Sequence, residues 1–267
     1  MYGYENYVAL GDSFTEGLSD ALPDGTFRGW ADRLAEILAA GRPGFRYANL
    51  ALRGKMLAPI IAEQVPAALE LKPDLVTFCG GGNDVIVPGT DVDEISRQID
   101  EVVATLRASG IEVVLFNGPD PKRLAVLNVL RGKIGIYNAN LWAIAHRHGA
   151  KVVDLWAMEV LRDRRAWSED RLHFTAEGHR RIALRTAECL GVPTTEDWRV
   201  PWPEDDPADW IALRRSDLYW TRTHLLPWIR RHLRGQSMGD GLAPKRPHLT
   251  PLLPLPSPPA DDRATTR

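Results

Sequence analysis

Leu10-Gly11-Asp12-Ser13-Phe14-Thr15-Glu16-Gly17 decides the fold, because it joins a short apolar run to a tight loop that carries a serine. The run ahead of it, Tyr7-Val8-Ala9-Leu10, is too short and too apolar for a surface helix and stops at Gly11. It reads as a buried parallel strand that empties into a turn. Ser13 then stands at the carboxyl end of that strand. In an open α/β sheet this is the edge where loops converge and the next helix offers free N–H groups to a ligand. Read alone, Gly-Asp-Ser is equally an ordinary turn of turn-favouring residues, so the partners of Ser13 decide its meaning.

A serine hydroxyl is a weak nucleophile until a base takes its proton, and the base needs a group to orient it. Of the seven histidines, His146 and His148 close a helix, His179 lies inside one, and His224, His232 and His248 fall in a C-terminal extension. His173 differs. Asp170-Arg171-Leu172-His173 sets a carboxylate three residues before an imidazole, and Thr175 reads as the N-cap of the helix that follows. One short loop can thus supply a base and its orienting acid.

Two further loops follow apolar β-type runs. Cys79-Gly80-Gly81-Gly82-Asn83-Asp84 comes directly after Leu75-Val76-Thr77-Phe78, and its glycines permit close backbone approach to a ligand. Asn83 could direct a side-chain N–H at a developing oxyanion. Ala48-Asn49-Leu50-Ala51-Leu52-Arg53-Gly54 likewise ends at a glycine with an unobstructed N–H. Each segment alone also fits a plain turn.

Taken in chain order, the four segments resemble the four blocks of the SGNH hydrolases, the GDSL esterase/lipase superfamily. Gly11-Asp12-Ser13, Gly54, Gly81-Gly82-Asn83-Asp84 and Asp170-Arg171-Leu172-His173 carry the resemblance, which spans roughly residues 5 to 192. It implies a serine hydrolase of carboxylic esters, with Ser13 as nucleophile, His173 as general base and Asp170 as its partner. It implies an oxyanion hole of the Ser13 and Gly54 backbone N–H groups and the Asn83 side chain. Phe14 stands where the namesake motif has Leu, and it is similarly apolar. The resemblance implies no cofactor and a small-molecule ester as substrate, with alcohol and acyl group open. No lid is identifiable, which favours short acyl chains.

The remaining chain alternates strand and helix, as a parallel sheet covered by helices on both faces does. Strands are expected near 6–11, 46–50, 75–79, 112–117 and 151–155. Val92, Ile95, Ile99, Val102, Val103 and Leu106 give a clear amphipathic stripe. A long helix is expected from about 122 to 148, broken near Gly132 to Gly135, while Pro59 and Pro66 start or kink helices at 56–71. The expectation is a three-layer α/β/α, flavodoxin-like parallel sheet of about five strands in the order 2-1-3-4-5, with a C-terminal helical extension. Strands one and three then straddle the switch point and bring Ser13 and Asn83 together.

The hydrolase domain is expected to cover 1–193. A helical extension over 194–234 follows, with Trp220, Leu225, Trp228 and Ile229 on an arginine-rich segment, and a disordered Pro-rich tail over 235–267. With 44% hydrophobic and 25% charged residues among 267 and a net charge of −2, the composition is that of a globular protein without an electrostatic footprint for nucleic acid. Met1 to Asn6 lacks a secretory pattern and no run approaches a membrane span, so a cytoplasmic setting is expected, with Cys79 and Cys189 as buried, reduced thiols.

Two other functions compete. Asp12, Asn83, Asp84 and His173 could gather a divalent cation for a phosphoesterase, although the first loop lacks an Asp-x-His and further ligands are missing. Residues 210–233 could instead serve a non-catalytic module that binds an anionic membrane or a partner.

Overall fold

Tyr7, Val8, Ala9 and Leu10 are all fully buried, as a central parallel strand requires. The computed structural model describes residues 3–123, 127–204 and 241–252, with isolated positions between 205 and 240. In chain order it contains β1 (Asn6–Gly11), α1 (Ser13–Glu16), α2 (Gly29–Ala39), β2 (Arg46–Asn49), α3 (Leu57–Pro59), α4 (Val65–Leu71), β3 (Leu75–Cys79) and α5 (Gly82–Ile86). There follow α6 (Val92–Ala108), β4 (Glu112–Phe116), α7 (Arg131–His148), β5 (Lys151–Val153), α8 (Ala176–Cys189) and β6 (Arg246–Pro251).

The sheet runs β5-β4-β3-β1-β2-β6. Its first five strands are parallel, in the expected order 2-1-3-4-5. Alternating side chains divide the core. Tyr7 and Ala9 join Trp30 and Leu34 of α2 and Ile182 of α8 on one face. Val8 and Leu10 join Ile99 and Val103 of α6 and Leu141 of α7 on the other. This is the period of two of a pleated strand with helices on both sides.

β6 corrects two expectations: the sheet has six strands rather than about five, and residues 246–251 are ordered where a disordered tail was expected. β6 pairs antiparallel with β2, Tyr47 opposite Thr250. Just before it, Lys245 donates to the carbonyls of Phe27 and Arg28 at 2.9 Å and pairs with Asp32 at 2.9 Å. Leu249 and Leu252 pack against the two halves of the core. Composition misleads here because Pro247 and Pro251 sit on an edge strand, where a missing N–H costs no ladder bond. Residues beyond 252 and most of the expected helix at 210–233 lie outside the described residues. Residues 198–202 pack onto the core, with Arg181 of α8 donating to the Trp198 carbonyl and Trp202 to that of Val160.

α7 runs unbroken through Gly132 and Gly135, where a break was expected. Each helical glycine costs about 1 kcal/mol relative to alanine, and tertiary bonds in the same stretch offset it. Tyr137 donates to the Gly80 carbonyl at 2.6 Å, and the Asn138 amide bonds both polar groups of Gly118 at 2.7 and 2.8 Å. The segment after β2 is likewise unusual: α3 passes into a π-helical turn, Ile60–Gln64, before α4 begins around Pro66.

His179 of α8 is completely buried behind the first loop. Its Nδ1 accepts the Trp30 N–H at 3.2 Å, and its Nε2 faces the Leu18 carbonyl at 3.0 Å. These partners admit only the neutral ring protonated at Nε2. Burial pushes its pKa down to about 4. Below the unfolded value of about 6.5 the unfolded chain binds a proton that the folded chain refuses, so stability falls as pH drops through that window. Urea unfolding should show the wild type losing about 3 kcal/mol more than His179→Gln between about pH 7 and about pH 4. Equal losses in both would remove His179 from the pH response.

Candidate active site

Asp12 makes the turn out of β1. Its backbone is extended, and its carboxylate accepts the Phe14 N–H at 3.0 Å as the N-cap of α1, so Ser13 becomes the first helical residue. The strand end is clamped from the π-helical turn: the buried Gln64 amide accepts from the Gly11 N–H at 2.8 Å and donates to the Gly11 carbonyl at 2.9 Å. A side chain at Gly11 would meet Cys79 O at 2.6 Å and Thr15 Oγ1 at 2.5 Å, so β1 and β3 close together just below the serine only because Gly11 is bare.

His173 reaches Ser13 from 160 residues away. Its Nε2 lies 2.8 Å from Ser13 Oγ and its Nδ1 2.6 Å from Asp170 Oδ2. The turn that carries it closes through Ser168 N–H to His173 O at 2.9 Å, with Arg171 in the left-handed region at φ 51°. Asp170 Oδ1 also accepts from Ser168 Oγ and from the N–H groups of Leu172 and His173. Burial raises the Asp170 pKa, but the bonds and charge of His173 together with the Ser168 bond outweigh it and hold the carboxyl well below the usual range. Thr175 caps α8 as expected, accepting from Gly178 N–H.

Asn83 lies in the first turn of α5, behind Gly81 at φ 90°. Its amide donates to Lys55 O at 2.9 Å and to Asp12 Oδ2 at 3.2 Å. Gly54, at φ 75°, immediately precedes Lys55 and does not line the cavity beside Ser13. Its loop is tied to α1 through Arg53, whose N–H donates to Glu16 at 2.7 Å. Asp12 itself is pushed up to about 6, first by burial and further by Asp84, against the lowering effects of the Phe14 N–H and His173.

The cavity holds about 190 Å³ and opens onto Ser13, Asn83 and His173. Cys79, Trp167 and the buried Arg171 also line it, whereas Trp156 does not. Cys79 and Cys189 are free thiols, half-buried rather than fully buried. Asp84 turns its carboxylate to the Leu57 N–H at 2.9 Å. Among the described residues no group of three or more His, Cys, Asp or Glu forms a metal-holding cluster, Asp12, Asp84 and His173 included. No described helix is long and apolar enough to cross a membrane. Three residues of the site escape a reading of the sequence: Gln64, Tyr137 and Arg171. For Gln64 the available signal is a lone amide in an apolar segment framed by Pro59 and Pro66.

A family model described as the GDSL-like lipase/acylhydrolase family matches residues 9–181. Solved structures share the fold. An α/β hydrolase from the metagenome of Lake Arreo, Spain, is 22% identical, with 70% of this chain and 95% of that one covered at a TM-score of 0.60. Axe2, an acetylxylan esterase from Geobacillus stearothermophilus, is 21% identical, with 73% and 95% covered at 0.60. TesA is 24% identical, with 69% and 97% covered at 0.59. No curated protein sequence matches significantly.

The raised pKa of Asp12 is open to direct measurement. Infrared difference spectra between about pH 5 and about pH 7 should show a protonated-acid carbonyl band lost on ionisation in the wild type and missing from Asp12→Asn. The same band change in the variant would assign the titration to another carboxyl.

Proposed function

The chain belongs to the GDSL-like lipase/acylhydrolase family and is a carboxylic ester hydrolase; from that premise we propose that it works through a Ser13-His173-Asp170 triad and an acyl-enzyme. The observation that carries the reading is the continuous chain from Ser13 Oγ through His173 to Asp170, with links of 2.8 and 2.6 Å, at the mouth of a cavity. His173 takes the Ser13 proton as Oγ attacks the ester carbonyl. It then gives that proton to the departing alcohol. Water activated by the same imidazole releases the acid and restores Ser13. Asp170, held ionised, keeps Nδ1 protonated and stabilises the imidazolium.

The oxyanion would be met by the Ser13 N–H and the Asn83 amide; Gly54, outside the cavity lining, precedes the Lys55 carbonyl that orients Asn83. Of the two bonds that Asn83 makes, the one to Asp12 is longer at 3.2 Å and is the one to yield as the oxyanion forms. A small-molecule ester, with no metal or cofactor, suffices for this chemistry.

Ser13→Ala should lower kcat by on the order of 10³-fold or more on an activated ester. Asn83→Ala should cost about 10²-fold to 10³-fold. Near-normal turnover in the serine variant, with the fold retained by circular dichroism, would overturn the triad. An unchanged kcat in the other would leave Asn83 a turn residue.

A further inference from the structure

The cavity leads away from Ser13 across the carboxyl ends of β3 and β4, under the first turns of α7. Its walls there are Ile86, Phe116, Leu130, Ile134 and Leu155. Three polar side chains of the lining turn their groups elsewhere. Asn117 donates to Asp154 at 2.7 Å and accepts the Leu155 N–H at 2.6 Å. Tyr137 donates to Gly80 O, and Trp167 Nε1 donates to Leu161 O at 2.7 Å. A sugar placed in this part of the cavity would give up its water for few new partners, whereas an alkyl chain would give up none.

Resting on the esterase reading above, we propose that this cavity is the acyl site and selects a neutral, unbranched acyl group of about six to eight carbons, since a 150 Å³ apolar cavity already holds benzene and this one measures about 190 Å³. Length agrees with volume. β4 lies two strand spacings from β1, about 10 Å, which is the reach of about seven extended carbons beyond the carbonyl. An acetyl group would leave most of the cavity empty. The floor is tight at one point: a Cβ on Gly118 would come within 2.8 Å of Ile134 Cγ2, so the Ile134 side chain rests directly on the loop after β4. The selection departs from the short-chain expectation drawn from the absence of a lid.

The test is kcat/KM for p-nitrophenyl acetate, butyrate, hexanoate, octanoate and dodecanoate on the full chain. Burial of each methylene is worth about fourfold, so the value should rise on the order of 10²-fold from acetate to hexanoate and stop rising by dodecanoate. Ile134→Phe and Leu130→Phe, each checked for folding, should lower the hexanoate-to-acetate ratio by at least about tenfold by filling the cavity. A wild type that prefers acetate, or a ratio untouched in both folded variants, overturns the acyl site while leaving the esterase reading standing. No turnover on any ester overturns both.

Discussion

One glutamine side chain holds the end of the central strand. At Gly11 the parallel ladder gives way to the serine loop, and Gln64 takes both backbone groups of that residue, at 2.8 and 2.9 Å, inside the protein. An amide offers an acceptor and a donor in one plane at any pH, and the π-helical turn Ile60–Gln64 carries it to the strand end. Ser13 lies two residues further on. Its hydroxyl must meet an imidazole delivered from 160 residues along the chain, so error at Gly11 passes directly into the Ser13–His173 distance.

Around that fixed point two carboxylates are driven in opposite directions. Asp170 gathers bonds from His173, Ser168 and two backbone N–H groups and stays ionised. Asp12, deeper and near Asp84, is pushed up to about 6. The separation suits the proposed chemistry. A negative Asp170 supports the imidazolium, while an acid beside Asn83 that holds its proton more readily opposes a developing oxyanion less. His179 adds a third controlled group, a neutral ring whose stacking against Phe14 at 6.0 Å links α8 to the serine loop.

Much of this architecture is legible in the amino-acid sequence. Apolar runs ending at glycine mark β1 and β3, the stripe from Val92 to Leu106 marks α6, and repeated strand and helix is compatible with the order that the parallel strands adopt. Ser13, Asn83, Asp170 and His173 stand out only together, as segments met in one chain order. The first two meet His173 around one cavity, with Asp170 bonded to the imidazole. What the sequence hides is set by tertiary partners. The strand at 246–251 depends on Lys245 finding Asp32 and two carbonyls more than 200 residues earlier. The integrity of α7 across two glycines depends on bonds from Tyr137 and Asn138 to other loops. The acyl wall is assembled from separate segments, so no local pattern announces it.

The central claim is that Ser13 is activated by His173. It is tested most directly by intact mass and peptide mapping after incubation with a fluorophosphonate, on the wild type, Ser13→Ala and His173→Ala. A single adduct on Ser13 of the wild type, none on Ser13→Ala and labelling slowed by orders of magnitude in His173→Ala is the predicted result. An adduct mapping to another residue, or labelling of Ser13 that proceeds as fast without His173, would contradict it.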